Sequence, residues 1–218
     1  IDSPRLDVKQ NPLFEDIDNT FAYLDTHYYG GIKKYQWVAT PLAIHGVVAK
    51  TNGEVAEVVI GEDKNDSVVF VSDLLVHLAG EQMEKKAAKA VEGENLDIIV
   101  GTKPLEGEEK NAVKANILKI LKKKYDMEEA DFISAEFELV PAGKARDAGI
   151  DESMIMAYGQ DDRVCAYTSL AAMLETNEVK KTACCLLVDK EEIGSVGATG
   201  MQSRFFENTV AEIINLME

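Results

Sequence analysis

The feature that most restricts the fold is the run Thr182-Ala183-Cys184-Cys185-Leu186-Leu187-Val188, apolar along its length, which breaks at once into Asp189-Lys190-Glu191-Glu192-Ile193-Gly194-Ser195. An apolar stretch without alternation is what a strand buried on both faces of a parallel or mixed sheet carries. Helical patterns flank it. Ahead of it, Val164, Tyr167, Leu170, Ala171 and Leu174 recur on one side of a helix that follows Asp161-Asp162-Arg163. Behind it, a helix over about 203–217 is expected to bury Phe206, Val210, Ile213 and Met217. Helix, buried strand, loop and helix in this order read as α/β.

Residues 35–140 have a different texture. Short β-branched runs at 37–40, 43–50, 55–60 and 67–71 are separated by Thr51-Asn52-Gly53 and by 61–66, the spacing of hairpins in a small antiparallel sheet or barrel. Ser72 or Asp73 is a candidate cap for a helix reaching about Ala90, and a strand is expected at 96–100. A helix over about 109–125 carries Val113, Ile117, Ile120 and Leu121 on one face, and a strand at 132–140 ends at Pro141-Ala142-Gly143. Residues 12–30, with Asn-Pro at one end and Tyr28-Tyr29-Gly30-Gly31 at the other, read as loop and turn. Two domains are expected, the first a strand-rich α+β unit.

Composition narrows the partners. With 46% hydrophobic and 28% charged residues the chain is expected to be globular. Lys and Arg number 23 against 39 Asp and Glu, a formal charge of -16 spread along the chain, which argues against nucleic acid and anionic membranes as partners. No stretch reaches the roughly 20 apolar residues of a membrane span, and Ile1-Asp2-Ser3-Pro4-Arg5 is not a targeting peptide. Cys165, Cys184 and Cys185 sit in apolar runs and are expected as buried thiols of a reducing, cytoplasmic compartment. Both ends read as cut.

Two carboxylate pairs stand at element ends: Asp161-Asp162 at a helix start, and Glu191-Glu192 just past the apolar run. Gathered in one crevice, such oxygens suit divalent cations, and a carboxylate reaching an activated water can act as general base. The plainer reading makes the aspartates helix caps and the glutamates solvated surface. His27, His45 and His77 show no tight ligand spacing, and Lys144 and Arg146 lack the glycine-rich loop that phosphate binding needs.

Asp2-Ser3-Pro4-Arg5-Leu6, Tyr29-Gly30-Gly31-Ile32, Asp161-Asp162-Arg163-Val164 and Asp189-Lys190-Glu191-Glu192-Ile193-Gly194-Ser195 occur in the order and at roughly the spacing of aspartyl aminopeptidases. The chain resembles this family of two-metal aminopeptidases over nearly its whole length. The resemblance implies a partial, phosphorylase/hydrolase-like α/β catalytic domain (1–8 and 151–218) interrupted by a strand-rich dimerisation domain (9–150). It further implies that Asp161 bridges two zinc ions, that Glu192 ligates one of them, and that Glu191 is the general base. Asp2 is similar to the second member of the family's His-x-Asp motif, and His77 to a histidine that reaches into a neighbouring subunit's active site. A dodecamer assembled through the inserted domain is implied, with a peptide as substrate.

The histidine of His-x-Asp would fall one residue before Ile1, and a further Asp and a final His ligand would fall past Glu218. The chain is therefore expected to bind zinc weakly and to lack peptidase activity by itself. Cobalt or manganese could take the place of zinc. The rival expectations are a related aminopeptidase of glutamyl or broad neutral specificity and a non-catalytic oligomerisation module.

Overall fold

The computed structural model describes residues 1–217, which divide into two compact units. The larger comprises Arg5–Tyr28 and Ile32–Arg146. It is built on a six-stranded sheet from β1 (Arg5–Glu15), β2 (Ala22–Tyr29), β3 (Leu42–Ala49), β4 (Val55–Ile60), β5 (Ile98–Gly101) and β6 (Ala135–Pro141), in the order β4-β3-β6-β1-β2-β5. β1 with β6, β2 with β5, β3 with β4 and β3 with β6 pair antiparallel.

Register explains the core. Leu6 lies opposite Leu139, Leu139 opposite Ile44, and Ile44 opposite Ile60, so one row of aliphatic side chains crosses four strands. Leu6, Leu139 and Ile44 are buried, as are Leu42, Val48, Val58 and Phe137. One residue further along each strand the side chains face the other way, and there Arg5 is held between Asp7 and Glu138 at 2.8 and 3.0 Å. Gly46 permits the close approach of β3 to β6, since a Cβ there would lie 2.0 Å from the Glu136 carbonyl oxygen.

The hairpin and strand expectations hold in outline, except that 37–40 and 67–71 form only isolated bridges, Val38 with Val71, Val69 with Leu42 and Phe70 with Ile99, and three further corrections apply. Residues 12–30 are not loop: they carry most of β1 and β2, joined by a turn in which the Asp16 carboxylate accepts from the Thr20 and Phe21 N–H groups. Asn11 and Pro12 sit inside β1, Asn11 with a φ of 51°, so the breakers mark an irregularity within a strand. The single helix expected from Ser72 or Asp73 to Ala90 is two four-residue turns, α1 (Gly80–Met83) and α2 (Ala87–Ala90). Its apolar residues Leu74, Leu75, Val76 and Leu78 are exposed, so no buried face supports a longer helix. Helix α3 (Ala112–Tyr125) forms as expected and buries Val113.

The second unit comprises Ile1–Pro4, Tyr29–Gly31 and the residues from Asp147 onward. It holds the two-stranded ladder of β7 (Arg146–Ala148) with β8 (Met154–Met156), helix α4 (Gln160–Glu175) and helix α5 (Phe205–Met217). Residues 182–188 join no ladder among the described residues and are exposed or half-exposed, so the buried strand expected there is not formed. A strand requires backbone partners, which the apolar character of a run does not supply. Helix α5 forms as expected but buries none of Phe206, Val210, Ile213 and Met217. With Leu186 and Leu187, all four of these line an open, mostly apolar groove of about 900 Å³. The three thiols are free rather than buried, Cys165 and Cys184 being exposed and Cys185 half-buried. Among the described residues no helix is long and apolar enough to cross a membrane.

Candidate active site

The site is assembled around three residues at the start of the chain. The Asp2 carboxylate accepts from the Tyr29 hydroxyl through Oδ2 and from the Glu192 backbone N–H through Oδ1, the latter at 3.1 Å. Ser3 Oγ donates to the Asp161 carbonyl at 2.9 Å, and the Tyr158 hydroxyl donates to the Pro4 carbonyl at 2.7 Å. Residues 2–4 thus tie the Asp161 segment and the Glu191-Glu192 segment together within one unit.

Glu191 and Glu192 stand on a 3-10 turn, Glu191–Ile193, bounded by Lys190 and Gly194 with φ of 72° and 76°. The turn is closed by the Gly194 N–H on the Glu191 carbonyl at 3.0 Å and the Ser195 N–H on the Lys190 carbonyl at 2.7 Å. Gly30, with φ +76°, passes so near that a Cβ on it would lie 2.6 Å from Glu192 Oε2, and the Gly31 N–H donates to that oxygen at 3.4 Å.

Asp161 and Asp162 open α4. Asp161 interrupts the helical dihedrals with φ -91° and ψ 109°, the Asp161–Asp162 peptide bond is cis, and the N-cap position is held by Gly159 with no side-chain cap hydrogen bond. The aspartates therefore do not act as the simple N-cap that the sequence also allowed. His77 belongs to the larger unit, where it lies on an exposed turn closed by the Leu78 N–H on the Leu75 carbonyl at 2.9 Å.

Electrostatics marks Glu192. Burial pushes its carboxyl above the usual carboxylate range, the Gly31 N–H opposes this, and the negative charges of Glu191, Asp2 and Asp161 add to the rise. A cation placed among these oxygens would relieve that repulsion. The donors fit a divalent metal in kind. In number they fall short, because among the described residues no three His, Cys, Asp or Glu side chains are grouped to hold an ion.

Sequence reasoning singled out Asp2, Asp161, Glu191 and Glu192, which this unit gathers, but gave Tyr29, Gly31 and Ser3 no task. The signal for them was the pair Gly30-Gly31 directly after an aromatic residue, which reads equally well as a turn.

The chain is similar to known proteins over its whole length. A relative in Clostridium acetobutylicum, named "Probable M18 family aminopeptidase 1", is 67% identical over 217 residues, covering 99% of this chain and 46% of its own length. The crystal structure of an M18 family aminopeptidase from Thermotoga maritima superposes with a TM-score of 0.92 at 51% identity, covering 100% of this chain and 47% of that one. A dodecamer of Saccharomyces cerevisiae mApe1, 20% identical over 97% of this chain and 47% of its own, shares the fold with a TM-score of 0.63. The chain spans about half the length of the curated relatives it matches. The family model described as aminopeptidase I zinc metalloprotease (M18) matches residues 1–218, so that no part of the sequence stands outside it, and the chain belongs to that family.

Proposed function

We propose that this sequence forms part of a zinc-dependent aminopeptidase that removes N-terminal residues from peptides by attack of water on the first peptide bond. The observation that carries the reading is the gathering of Asp2, Asp161, Glu191 and Glu192 in one unit, with the Glu192 carboxyl raised by its burial and by its acidic neighbours. Asp161 and Glu192 would hold the metal, with further ligands completing its shell. Zinc, when bound, supplies Lewis acidity toward the scissile carbonyl and lowers the pKa of water; cobalt or manganese could do the same. Glu191 is exposed, and its carboxylate takes a proton from the attacking water and returns it to the leaving amine. Asp2 orients a histidine ligand from behind.

Further parts of the proposal concern the complete protein. Residues 9–150 carry self-association, up to the dodecamer seen for the yeast protein, and His77, exposed on its turn, serves the site of a neighbouring subunit. An acidic N-terminal residue is the proposed substrate preference, with glutamyl or neutral specificity as the alternative.

The test is Glu191→Gln in a full-length protein carrying this sequence, assayed with zinc on peptides beginning with Asp and with Leu. Loss of a general base is expected to lower turnover by about 10²–10⁴-fold. Unchanged turnover refutes the catalytic role of Glu191, and a wild type that cleaves neither peptide favours the oligomerisation module.

A further inference from the structure

The segment Tyr29-Gly30-Gly31 is placed in the same unit as the acidic cluster, yet nothing in the hydrolytic reaction calls on it. Tyr29 is 7% exposed, and its hydroxyl donates to Asp2 Oδ2. The other oxygen of Asp2 accepts the Glu192 N–H. Glu192 in turn receives the Gly31 N–H on Oε2, while Lys190, two residues before it, sets its ammonium 5.6 Å from the centre of the Tyr29 ring. The contacts close a ring: residues 29–31 hold the Glu192 side chain directly, and hold its backbone through Asp2.

We propose that Tyr29 is a positioning residue of the metal centre, acting with Gly30 and Gly31 to fix where the Asp2 and Glu192 carboxylates point. The proposal rests on the reading of Glu192 as a metal ligand. A carboxylate has two oxygens and several acceptor directions, so an Asp behind a ligand sphere is useful only if one direction is enforced. The Tyr29 hydroxyl supplies that constraint on Oδ2, leaving Oδ1 to anchor the turn that bears Glu192. Gly30 is required beside it because any side chain would meet the Glu192 carboxylate at 2.6 Å.

Tyr29→Phe removes the hydroxyl and keeps the ring beneath Lys190. In the metal-free full-length protein, zinc affinity is measured by competition with a chromogenic chelator, alongside the melting temperature without metal and the visible spectrum after cobalt loading. The expected result is zinc binding weakened about 10- to 100-fold, the range for loss of a residue supporting a ligand. The cobalt spectrum should be altered and the metal-free melting temperature unchanged. Wild-type zinc affinity in Tyr29→Phe overturns the proposal. So does a loss of affinity matched by a fall in metal-free stability, which assigns Tyr29 to folding alone. Should Tyr29→Phe fail to fold, Gly30→Ala, which pushes on Glu192 from the other side, decides by zinc affinity and cobalt spectrum alone, since a side chain at its φ of +76° lowers metal-free stability in either case, and wild-type values of both overturn the proposal. A wild type that takes up no zinc refutes the ligand reading of Glu192 itself and carries this proposal down with it, an outcome separate from the first two.

Discussion

Helix α3 begins at Asn111 in a left-handed conformation with no side-chain cap of its own, yet the N–H groups of Val113 and Lys114 are satisfied. Glu15, at the end of β1, places Oε2 at 3.1 and 3.0 Å from them. Glu15→Ala removes a charged acceptor from two helical N–H groups and a negative charge from the positive end of the helix. Hydrogen bonds to charged groups contribute about 1.5–3 kcal/mol each, and a lost cap costs about 0.5–2 kcal/mol. Against this, Glu15 Oε1 is buried without a hydrogen-bond partner, and removing it relieves a desolvation cost of about 1–3 kcal/mol. The balance is a net loss of roughly 2 kcal/mol, or about 4–8 °C in melting temperature for a domain of this size. Trp37, the single tryptophan, is buried in the same unit, so its fluorescence during urea unfolding reports on that unit without interference. Glu15→Gln keeps an oxygen acceptor but not the charge, and is expected to lose roughly 1 kcal/mol. A Glu15→Ala protein within about 0.5 kcal/mol of wild type, or less harmed than Glu15→Gln, shows that the orphaned oxygen cancels the cap and refutes the reasoning.

Two further outcomes are expected. Burial, then the Asp25 charge, raises the Asp97 carboxyl above its ordinary value. The native state therefore binds the Asp97 proton more tightly than the unfolded chain does. Stability from this group is present below the ordinary carboxylate pKa and is lost as pH rises through the raised one. Asp97→Asn should be more stable than wild type in urea at pH 7, with the gain vanishing near pH 3; equal or lower stability at pH 7 counts against it. Titration calorimetry of the 218-residue chain with zinc should show no saturable tight site, since no three ligands are grouped among the described residues, and a stoichiometric tight isotherm contradicts that.

What could be read from the sequence was local. The β3–β4 hairpin was legible because its turn is chemical: Gly53 has φ +87°, and Lys50 and Glu54 close the loop through a 2.8 Å hydrogen bond. Helix α3 was legible from its apolar spacing, but its cap was not, since Glu15 lies far away in sequence. Asn11-Pro12 misled because the same residues that stop a strand can also be tolerated within an irregular one. The run 182–188 misled differently, for its composition states what it would bury against and not whether a neighbouring strand is there.

The candidate site divides along the same line. Glu191-Glu192 and Asp161-Asp162 were visible as acidic pairs at element ends, and the turn and helix start that present them depend on residues next to them. Their convergence depends on Asp2, Ser3 and Gly31, which meet them across more than 150 residues of chain; hydrogen bonds of that span leave no periodicity. Gly30 shows why: its φ of +76° suits the turn, whereas its second requirement, that a Cβ there would lie 2.6 Å from a carboxylate oxygen, comes from a residue 162 positions later. One glycine that serves both a turn and a close approach shows only the turn in the sequence, and Gly31, with open space where a Cβ would be, adds its backbone N–H to the same carboxylate, a contact that any residue could make and that no residue type advertises.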